Sequence, residues 1–337
     1  MIQSTLKAAV KRGALIAAAN WPVTLIQASA DSLFKLLLAG PIIGGVFLAA
    51  LAVGAEPSAL VSLESRETLA VVGSALLAQP AVLAALLLAV AIVAVGGSVF
   101  VFLLKGGTVA TLVRSDREAG PIEEPPLHVH VLTRASRFTV ETYIDAAWRL
   151  FPRYARLGVV LMAVYLVSAA VYLASVANRD PAEGWSPTAA ITALFVAWIT
   201  IVNLLYLLVQ IVIATDDCNV GAAARRVAVF LRHERRAVAS IFGLVLAIVV
   251  AATGASVLAT AALGLVAFVP FFGLAALPLQ LLAWLLRGLV FQYLGLASVG
   301  AYLTLYRGFS GARVLRSSGS GSPVQVHGST DGSLVHP

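Results

Sequence analysis

Residues 81–104 read AVLAALLLAVAIVAVGGSVFVFLL and contain no charged side chain. A helix needs about 20 predominantly apolar residues to cross a hydrocarbon core of roughly 30 Å, so this stretch is long enough to span a membrane. The whole chain shares this character, because 60% of its 337 residues are hydrophobic and only 12% are charged, against about 25% charged in soluble domains. The sequence therefore predicts an all-α, polytopic integral membrane helical bundle.

Charge-poor stretches of similar length recur along the chain. We predict six transmembrane helices from them, with approximate cores at residues 36–53, 81–104, 157–176, 189–214, 238–267 and 277–306. A β-barrel would need short segments of alternating polarity, which the sequence lacks. The long apolar block before Arg287 leaves a seventh crossing open, but the Pro and Gly in residues 269–273 favour a turn between two helices. We expect a membrane domain at residues 1–308 and a disordered, Gly/Ser-rich cytoplasmic tail at 309–337.

The basic residues are distributed unequally between the two sides of the six predicted spans. Twenty of the 23 Lys and Arg residues lie on one side, whereas Arg66 and Arg179 lie on the other and Arg287 falls within the last apolar segment. Because translocated loops are poor in Lys and Arg, we expect both termini to be cytoplasmic. The net charge of +7 then indicates contact with anionic lipid headgroups and not with nucleic acid.

Several weaker sequence features predict the membrane in which the protein resides. The first 33 residues lack the apolar core and cleavage site of a signal peptide, so we expect the first span to anchor the chain. The single cysteine, Cys218, falls on the predicted cytoplasmic side and excludes an intramolecular disulfide. Nineteen Arg against four Lys, with abundant Ala, are typical of a GC-rich bacterial genome. We predict a multi-pass protein of a bacterial plasma (inner) membrane.

A short basic pattern precedes each odd-numbered span. It reads AAVKR at residues 8–12, AAWRL at 146–150 and AARRV at 223–227, which suggests three repeated units of one basic amphipathic helix and one hairpin of two spans. In the second unit, the helical stripe formed by Phe138, Ile144, Trp148 and Phe151 is expected to be interrupted near Pro152.

The third unit gives the clearest amphipathic helix. Asn219 or Asp217 is available as its N-cap, and Val227, Phe230 and Leu231 share one side. The other side is basic, which suits a helix lying in the membrane interface with its apolar side buried in lipid. Docking of a cytoplasmic protein partner is the alternative. The candidate anionic-lipid contacts are Arg225, Arg226, Arg232, Arg235 and Arg236.

Catalytic and metal-binding patterns are weak. His128 and His130, even with Glu123 and Glu124, do not have a spacing that enforces a metal site, so we predict no metal and no cofactor. Asp216 and Asp217 could coordinate a cation, but capping of the next helix is favoured. No phosphate-binding loop, paired carboxylates or nucleophile elbow occurs in a supporting context, so we predict that the protein is not an enzyme.

Arg287 is the one ionisable residue within the predicted apolar segments. An intramembrane charge is by default a functional hypothesis, but nineteen residues at about 1.5 Å each place Arg287 roughly 28 Å from Tyr306, close to the outer headgroups. Its side chain is therefore expected to reach those headgroups without a specific role or to form a structural pair, or alternatively to bind an anionic ligand or lipid headgroup. The six apolar cores contain no Asp, Glu or His, which disfavours proton-coupled transport.

Residues 216–226, DDCNVGAAARR, are followed by Phe230, Leu231, Arg232 and an apolar span. This pattern resembles the six-span membrane domain attached to some bacterial glycerophosphodiester phosphodiesterases and related uncharacterised bacterial membrane proteins. The catalytic domain of those phosphodiesterases has no counterpart in this chain, so the resemblance implies the architecture and not hydrolysis.

Two functions follow as hypotheses. The first is a non-enzymatic scaffold or accessory subunit that organises lipid, or a membrane or cytoplasmic protein partner, through its basic helices. The second is a transporter or flippase of a lipid or small solute. A continuous polar cavity would favour the second hypothesis, and a sealed apolar interior would favour the first.

Overall fold

The computed structural model describes residues 2–53, 74, 77–123, 129–177, 185–267 and 273–319. This part of the chain folds into eight helices and contains no strand. The helices are α1 (Ile2–Ala19), α2 (Trp21–Val53), α3 (Pro80–Glu118), α4 (Val129–Ala135), α5 (Val140–Ala177), α6 (Trp185–Asp216), α7 (Val220–Ala267) and α8 (Gly273–Gly319).

Six of the described helices are long and apolar enough to cross a membrane. The candidate spans are Trp21–Gly45, Pro80–Glu118, Val140–Ala177, Pro187–Asp216, Val220–Ala262 and Pro278–Ala312. The predicted fold class, an all-α polytopic bundle with six spans, is confirmed. Most of the predicted turn at 269–273 lies outside the described residues.

The ends of the helices differ from the sequence prediction at both ends of the chain. The helix that contains the first span begins at Trp21, so Lys35 lies within it and pairs with Asp31, Nζ to Oδ2, at 2.6 Å. Four residues apart on a helix, the two charges compensate each other and the helix continues through them. At the other end, α8 runs on to Gly319, so the first eleven residues of the predicted tail are helical. Residues 320–337 lie outside the described part.

The second and third basic helices are not separate elements. The second is the start of α5, which continues through Pro152 because Leu150 and Tyr154 are buried on either side of it. The third is the start of α7, which is kinked at Glu234 (φ −110°, ψ 24°) and then enters its span. The first, α1, does end before its span, at Asn20.

The apolar side of the α7 segment packs against protein, which corrects the prediction that lipid covers it. Val227 and Phe230 are buried, and the Phe230 ring centroid lies 5.5 Å from that of Tyr306 on α8. In α5 the buried stripe includes Tyr143 and Ala147, one position away from the predicted one, so Trp148 is 62% exposed. Sequence periodicity indicated an amphipathic helix in both cases but did not determine which surface covers it.

The arginine-bearing helix ends meet at one end of the bundle, which we call the basic end. It comprises α1, the C-terminal parts of α3, α6 and α8, and the N-terminal parts of α5 and α7. The protein core also lies there, where fully buried large side chains fill the space between helices: Ile16, Leu112, Tyr154, Ile211 and Leu303. In the other half the helices expose large apolar residues, such as Leu166 and Leu258, which is the surface that lipid covers in a membrane protein.

A crossing of two glycines joins α1 to α8. A Cβ added to Gly13 would lie 2.5 Å from the Ala297 carbonyl oxygen, and one added to Gly300 would lie 2.7 Å from the Gly13 Cα. Small residues at a helix crossing let the backbones approach closely. At this crossing the backbone of α1 therefore contacts the backbone of α8, the last helix of the bundle.

The carboxylate of Asp116 on α3 is buried, with 2% of its side chain exposed. It binds Arg12 of α1, Oδ1 to Nε, at 2.6 Å, and its second oxygen binds Arg307 of α8. Arg12 also donates to the Gly120 carbonyl at 2.5 Å and to the Glu123 carboxylate at 2.8 Å. Burial alone lowers the pKa of Arg12, but the hydrogen bonds and charges of Asp116 and Glu123 outweigh it and raise the pKa overall. We call Arg12, Asp116, Glu123 and Arg307 the ionic junction.

Asn20 ends α1 and anchors the chain reversal before α2. It is fully buried, and its Nδ2 donates to the Ser115 hydroxyl at 2.9 Å and to the Ala135 carbonyl at 3.1 Å. Its Oδ1 accepts from the Arg137 backbone N–H at 3.1 Å. One amide thereby joins α3, the end of α4 and the start of the segment leading to α5.

Replacing Asp116 with Asn should strongly destabilise the protein. Removing one partner of a buried ion pair costs about 3–5 kcal/mol, because Arg12, whose side chain is 12% exposed, stays largely buried with less compensation. We expect a large fall in the thermal unfolding temperature in detergent. The matched control is Asp217→Asn, which removes an exposed pair with Arg153 worth about 0–1 kcal/mol. Similar losses in both variants would show that the ionic junction has no special role.

Gly13→Ala should destabilise the crossing of α1 and α8. The added methyl would meet backbone atoms, which cannot rotate away, and overpacking of this kind costs about 1–3 kcal/mol. Thermal unfolding in detergent should show the loss. Gly243→Ala is the control, because no atom lies within 4 Å of its added Cβ and alanine favours helix by up to about 1 kcal/mol. Equal stability of the Gly13 variant and the wild type would contradict the close crossing.

Candidate anion site at the basic end

The five predicted lipid-contact arginines of α7 all lie on its N-terminal part, and none of them is buried. Arg226 pairs with Asp216, Nη1 to Oδ2, at 2.5 Å. Among the described side chains, no carboxylate pairs with Arg225, Arg232, Arg235 or Arg236. These four guanidinium groups are therefore available to solvent, lipid or a partner.

The acidic pair at the end of α6 does not cap α7. Asp216 accepts from Arg226 and from the Tyr306 hydroxyl at 2.6 Å, while Asp217, whose φ of 48° lies in the left-handed region, pairs with Arg153 at 2.5 Å. The predicted capping role is wrong for these two residues, because arginines on α5 and α7 are close enough to bind them. Asn219 is the cap, since its Oδ1 accepts from the Ala222 N–H at 2.8 Å.

Cys218 lies between these two aspartates and the cap. Burial raises the pKa of its thiol, and the neighbouring Arg226 and Arg153 offset only part of the rise. The thiol is therefore less reactive at neutral pH than an exposed cysteine.

A cavity of about 420 Å³ opens between α3 and α5 at the basic end. Ala110, Thr111 and Ala146 contribute to its walls, and Thr142 adds a hydroxyl. Its charged lining consists of four arginines and two carboxylates: Arg114, Arg117, Arg137, Arg149, Glu118 and Asp145. The arginines outnumber the carboxylates by two. We call this cavity the arginine pocket.

Close helix packing forms the arginine pocket. A Cβ on Gly107 of α3 would lie 2.8 Å from the Tyr143 carbonyl oxygen of α5, so the two backbones approach closely there. The Tyr143 hydroxyl donates to the Leu104 carbonyl at 2.8 Å and fixes the pair. Two to three turns further along α3, Arg114 and Arg117 consequently face the first turns of α5.

Ion pairs hold part of this lining in place. Glu118 binds Arg114 at 3.1 Å and Arg137 at 2.7 Å, and Arg117 donates to the Thr215 carbonyl at 2.6 Å. Among the described side chains, no carboxylate pairs with Arg149. Arginine and threonine donors with a positive excess suit an anion with several oxygens, such as a phosphate group.

The candidate metal ligands of the sequence lie partly outside the described residues. Glu123 is engaged by Arg12, while Glu124 and His128 lie outside the described residues. Within the described ranges, no group of three or more His, Cys, Asp or Glu side chains comes together.

Several polar side chains lie inside the bundle, and the sequence prediction did not indicate Lys105 among them. Lys105 is half-buried, and its Nζ lies 5.2 Å from the centroid of the Tyr206 ring. Polar atoms of four buried side chains have no hydrogen-bond partner in the described part of the chain: Thr24 Oγ1, Tyr206 Oη, Gln210 Nε2 and Tyr302 Oη. The sequence prediction ends the second span at residue 104, whereas α3 continues past Lys105 to Glu118.

No protein-family model, curated protein or solved structure matches this chain. The resemblance to the membrane domain of glycerophosphodiester phosphodiesterases stays a prediction.

Proposed function

We propose that this integral membrane protein is a non-enzymatic scaffold or accessory subunit that organises anionic lipid at its basic end. The observation that carries the proposal is the set of unpaired arginines at that end. Arg149 in the arginine pocket and Arg225, Arg232, Arg235 and Arg236 on α7 have no carboxylate partner among the described side chains. Each such charge close to an anionic surface contributes about 1 kcal/mol of attraction.

The packing beneath these arginines supports a fixed binding surface. Arg226 of α7 is held by Asp216, and Arg153 of α5 is held by Asp217. The two helices that carry the unpaired arginines are therefore both anchored at the end of α6. Because little conformational freedom remains to be lost in the backbone, headgroup binding has a lower entropic cost.

The arginine pocket gives this surface one site with a defined shape. Its volume of about 420 Å³ falls within the range of roughly 300–1,000 Å³ that is typical of ligand pockets. Arg149 and Thr142 would donate to phosphate oxygens there. A phospholipid headgroup is the occupant that this position at the helix ends favours, and an acidic segment of a protein partner is the alternative.

A transporter or flippase of a lipid or small solute is the second candidate. It is favoured by Lys105 and the four unpartnered polar atoms of Thr24, Tyr206, Gln210 and Tyr302. Buried polar groups are normally satisfied by protein, water or ligand. The large apolar side chains that fill the same core, such as Leu112 and Ile211, favour the organising role.

Both termini and the basic end should face the cytoplasm if the charge asymmetry sets the orientation. Single cysteines in a Cys218→Ala background test this. A cysteine at position 66 or 179 should react with an impermeant thiol reagent in intact cells. A cysteine at position 232, which is exposed at the basic end, should react only after permeabilisation. Labelling of position 232 in intact cells would show that the orientation is opposite to the predicted one.

Replacing Arg149, Arg225, Arg232, Arg235 and Arg236 together with Gln should reduce the enrichment of anionic lipid around the protein. In proteoliposomes, energy transfer from tryptophan to labelled phosphatidylglycerol should exceed that to labelled phosphatidylcholine. At about 1 kcal/mol for each charge, the preference should fall about five-fold at each arginine contact that is removed. The substitution leaves the ion pairs of Arg12, Arg226 and Arg307 intact. Added salt should reduce the wild-type preference in the same direction.

The matched control is Arg66→Gln with Arg179→Gln, which removes charge from the opposite side of the spans. It should leave the preference unchanged. Equal energy transfer to both lipids in the wild type would refute lipid organisation. In the same vesicles, protein-dependent movement of labelled lipid between leaflets would contradict the organising role and support a flippase instead.

A further inference from the structure

A second cavity, of about 650 Å³, lies between α7 and α8 in the half of the bundle away from the basic end. Ala252, Ala255 and Ser256 line it from α7, and Trp284 and Arg287 line it from α8. Its volume is also in the range of ligand pockets, roughly 300–1,000 Å³. We call this cavity the outer groove.

Arg287 introduces a charge into the largely apolar outer groove. Its guanidinium carbon lies 5.8 Å from the centroid of the Phe291 ring. No carboxylate pairs with it among the described side chains. A charged side chain beside lipid tails is costly unless an anion or a headgroup compensates it. A negative group bound in the groove would compensate this charge, and the described part of the chain does not supply one.

The depth of Arg287 identifies the source of that negative group. Tyr306 binds Asp216 at the basic end, and Arg287 lies nineteen residues earlier on the same helix. At about 1.5 Å for each residue the two are roughly 28 Å apart, against a hydrocarbon thickness of about 30 Å. Trp284, one turn further out and 48% exposed, suits the interface where tryptophans concentrate. The negative groups nearest to this depth are the phosphates of the leaflet opposite the basic end.

We propose that the outer groove binds one phospholipid of the leaflet opposite the basic end. Arg287 binds the phosphate through its paired N–H donors, which match the geometry of phosphate oxygens. One acyl chain lies along α7 beside Ala252 and Ala255, where the side chains are small. The site is separate from the arginine pocket and does not depend on the function proposed for it.

Native mass spectrometry of the delipidated full-length protein in detergent tests the site, with dimyristoylphosphatidylglycerol as the probe. Arg287→Gln should weaken the binding of one lipid about ten-fold or more, because a hydrogen bond to a charged group contributes about 1.5–3 kcal/mol. Arg287→Lys should lie between Gln and the wild type, since lysine keeps the charge but loses the paired donors. Dimyristoylglycerol, which lacks the phosphate, should bind weakly to all three.

Ala255→Leu fills the groove without changing any charge and should also remove this lipid. Ala261→Leu, an exposed position of α7 outside the groove, is the matched control and should bind as the wild type does. Equal binding by the Ala255 and Ala261 variants would overturn the proposal. So would equal binding of the lipids with and without phosphate by the wild type.

Two further outcomes distinguish lipid in the outer groove from a protein interface there and from lipid at the basic end. If Ala255→Leu changes the oligomeric state and not the lipid count, a second copy of the chain occupies the groove and the proposal fails. If lipid is lost from Arg232→Gln but retained by Arg287→Gln, the basic end binds lipid and the outer groove does not. Loss from Arg287→Gln with retention by Arg232→Gln supports the outer groove alone.

Discussion

A single buried carboxylate holds together the end of the bundle on which the other contacts depend. Asp116 lies on α3 and binds Arg12 on α1 and Arg307 on α8, so the first and last helices are fastened to the middle of the chain. A carboxylate is costly to bury alone and is stable only when its partners also satisfy its hydrogen bonds. Two arginines from different helices meet that demand, and they restrict how α1 and α8 can sit against α3.

The packing of the rest of the core depends on this attachment of α1 and α8 to α3. With α1 held, Gly13 can cross Gly300 at backbone contact, and Asn20 can end the helix while binding Ser115 and Ala135. Large apolar residues then fill the space around these polar contacts. The opposite half of the bundle has no comparable junction among the described residues. Its helices expose apolar side chains that suit lipid, and the outer groove lies between two of them.

Arginines of this chain have two different roles under the proposed function. Arg12, Arg153, Arg226 and Arg307 bind carboxylates of other segments and stabilise the fold. Arg149, Arg232 and Arg287 have no carboxylate partner among the described side chains and are among the arginines to which we assign lipid. The charge of the surrounding sequence and the position of an arginine in a predicted loop do not distinguish these two groups of arginines. The difference between a structural and a binding arginine depends on whether folding brings an aspartate or glutamate within reach.

The sequence by itself determined the helical membrane class and the six spans, because the length of an apolar segment needed to cross lipid is a local property of the chain. It also restricted the cap of α7 to Asn219 or Asp217, since a cap acts within one helical turn, and the structure selects Asn219. Only the tertiary structure decided that Asp216 and Asp217 bind arginines, that Val227 and Phe230 face protein, and that Lys105 lies inside a helix. It alone assembled the arginine pocket from α3 and α5. These features depend on contacts between residues far apart in the chain, and neither periodicity nor composition specifies which surfaces meet.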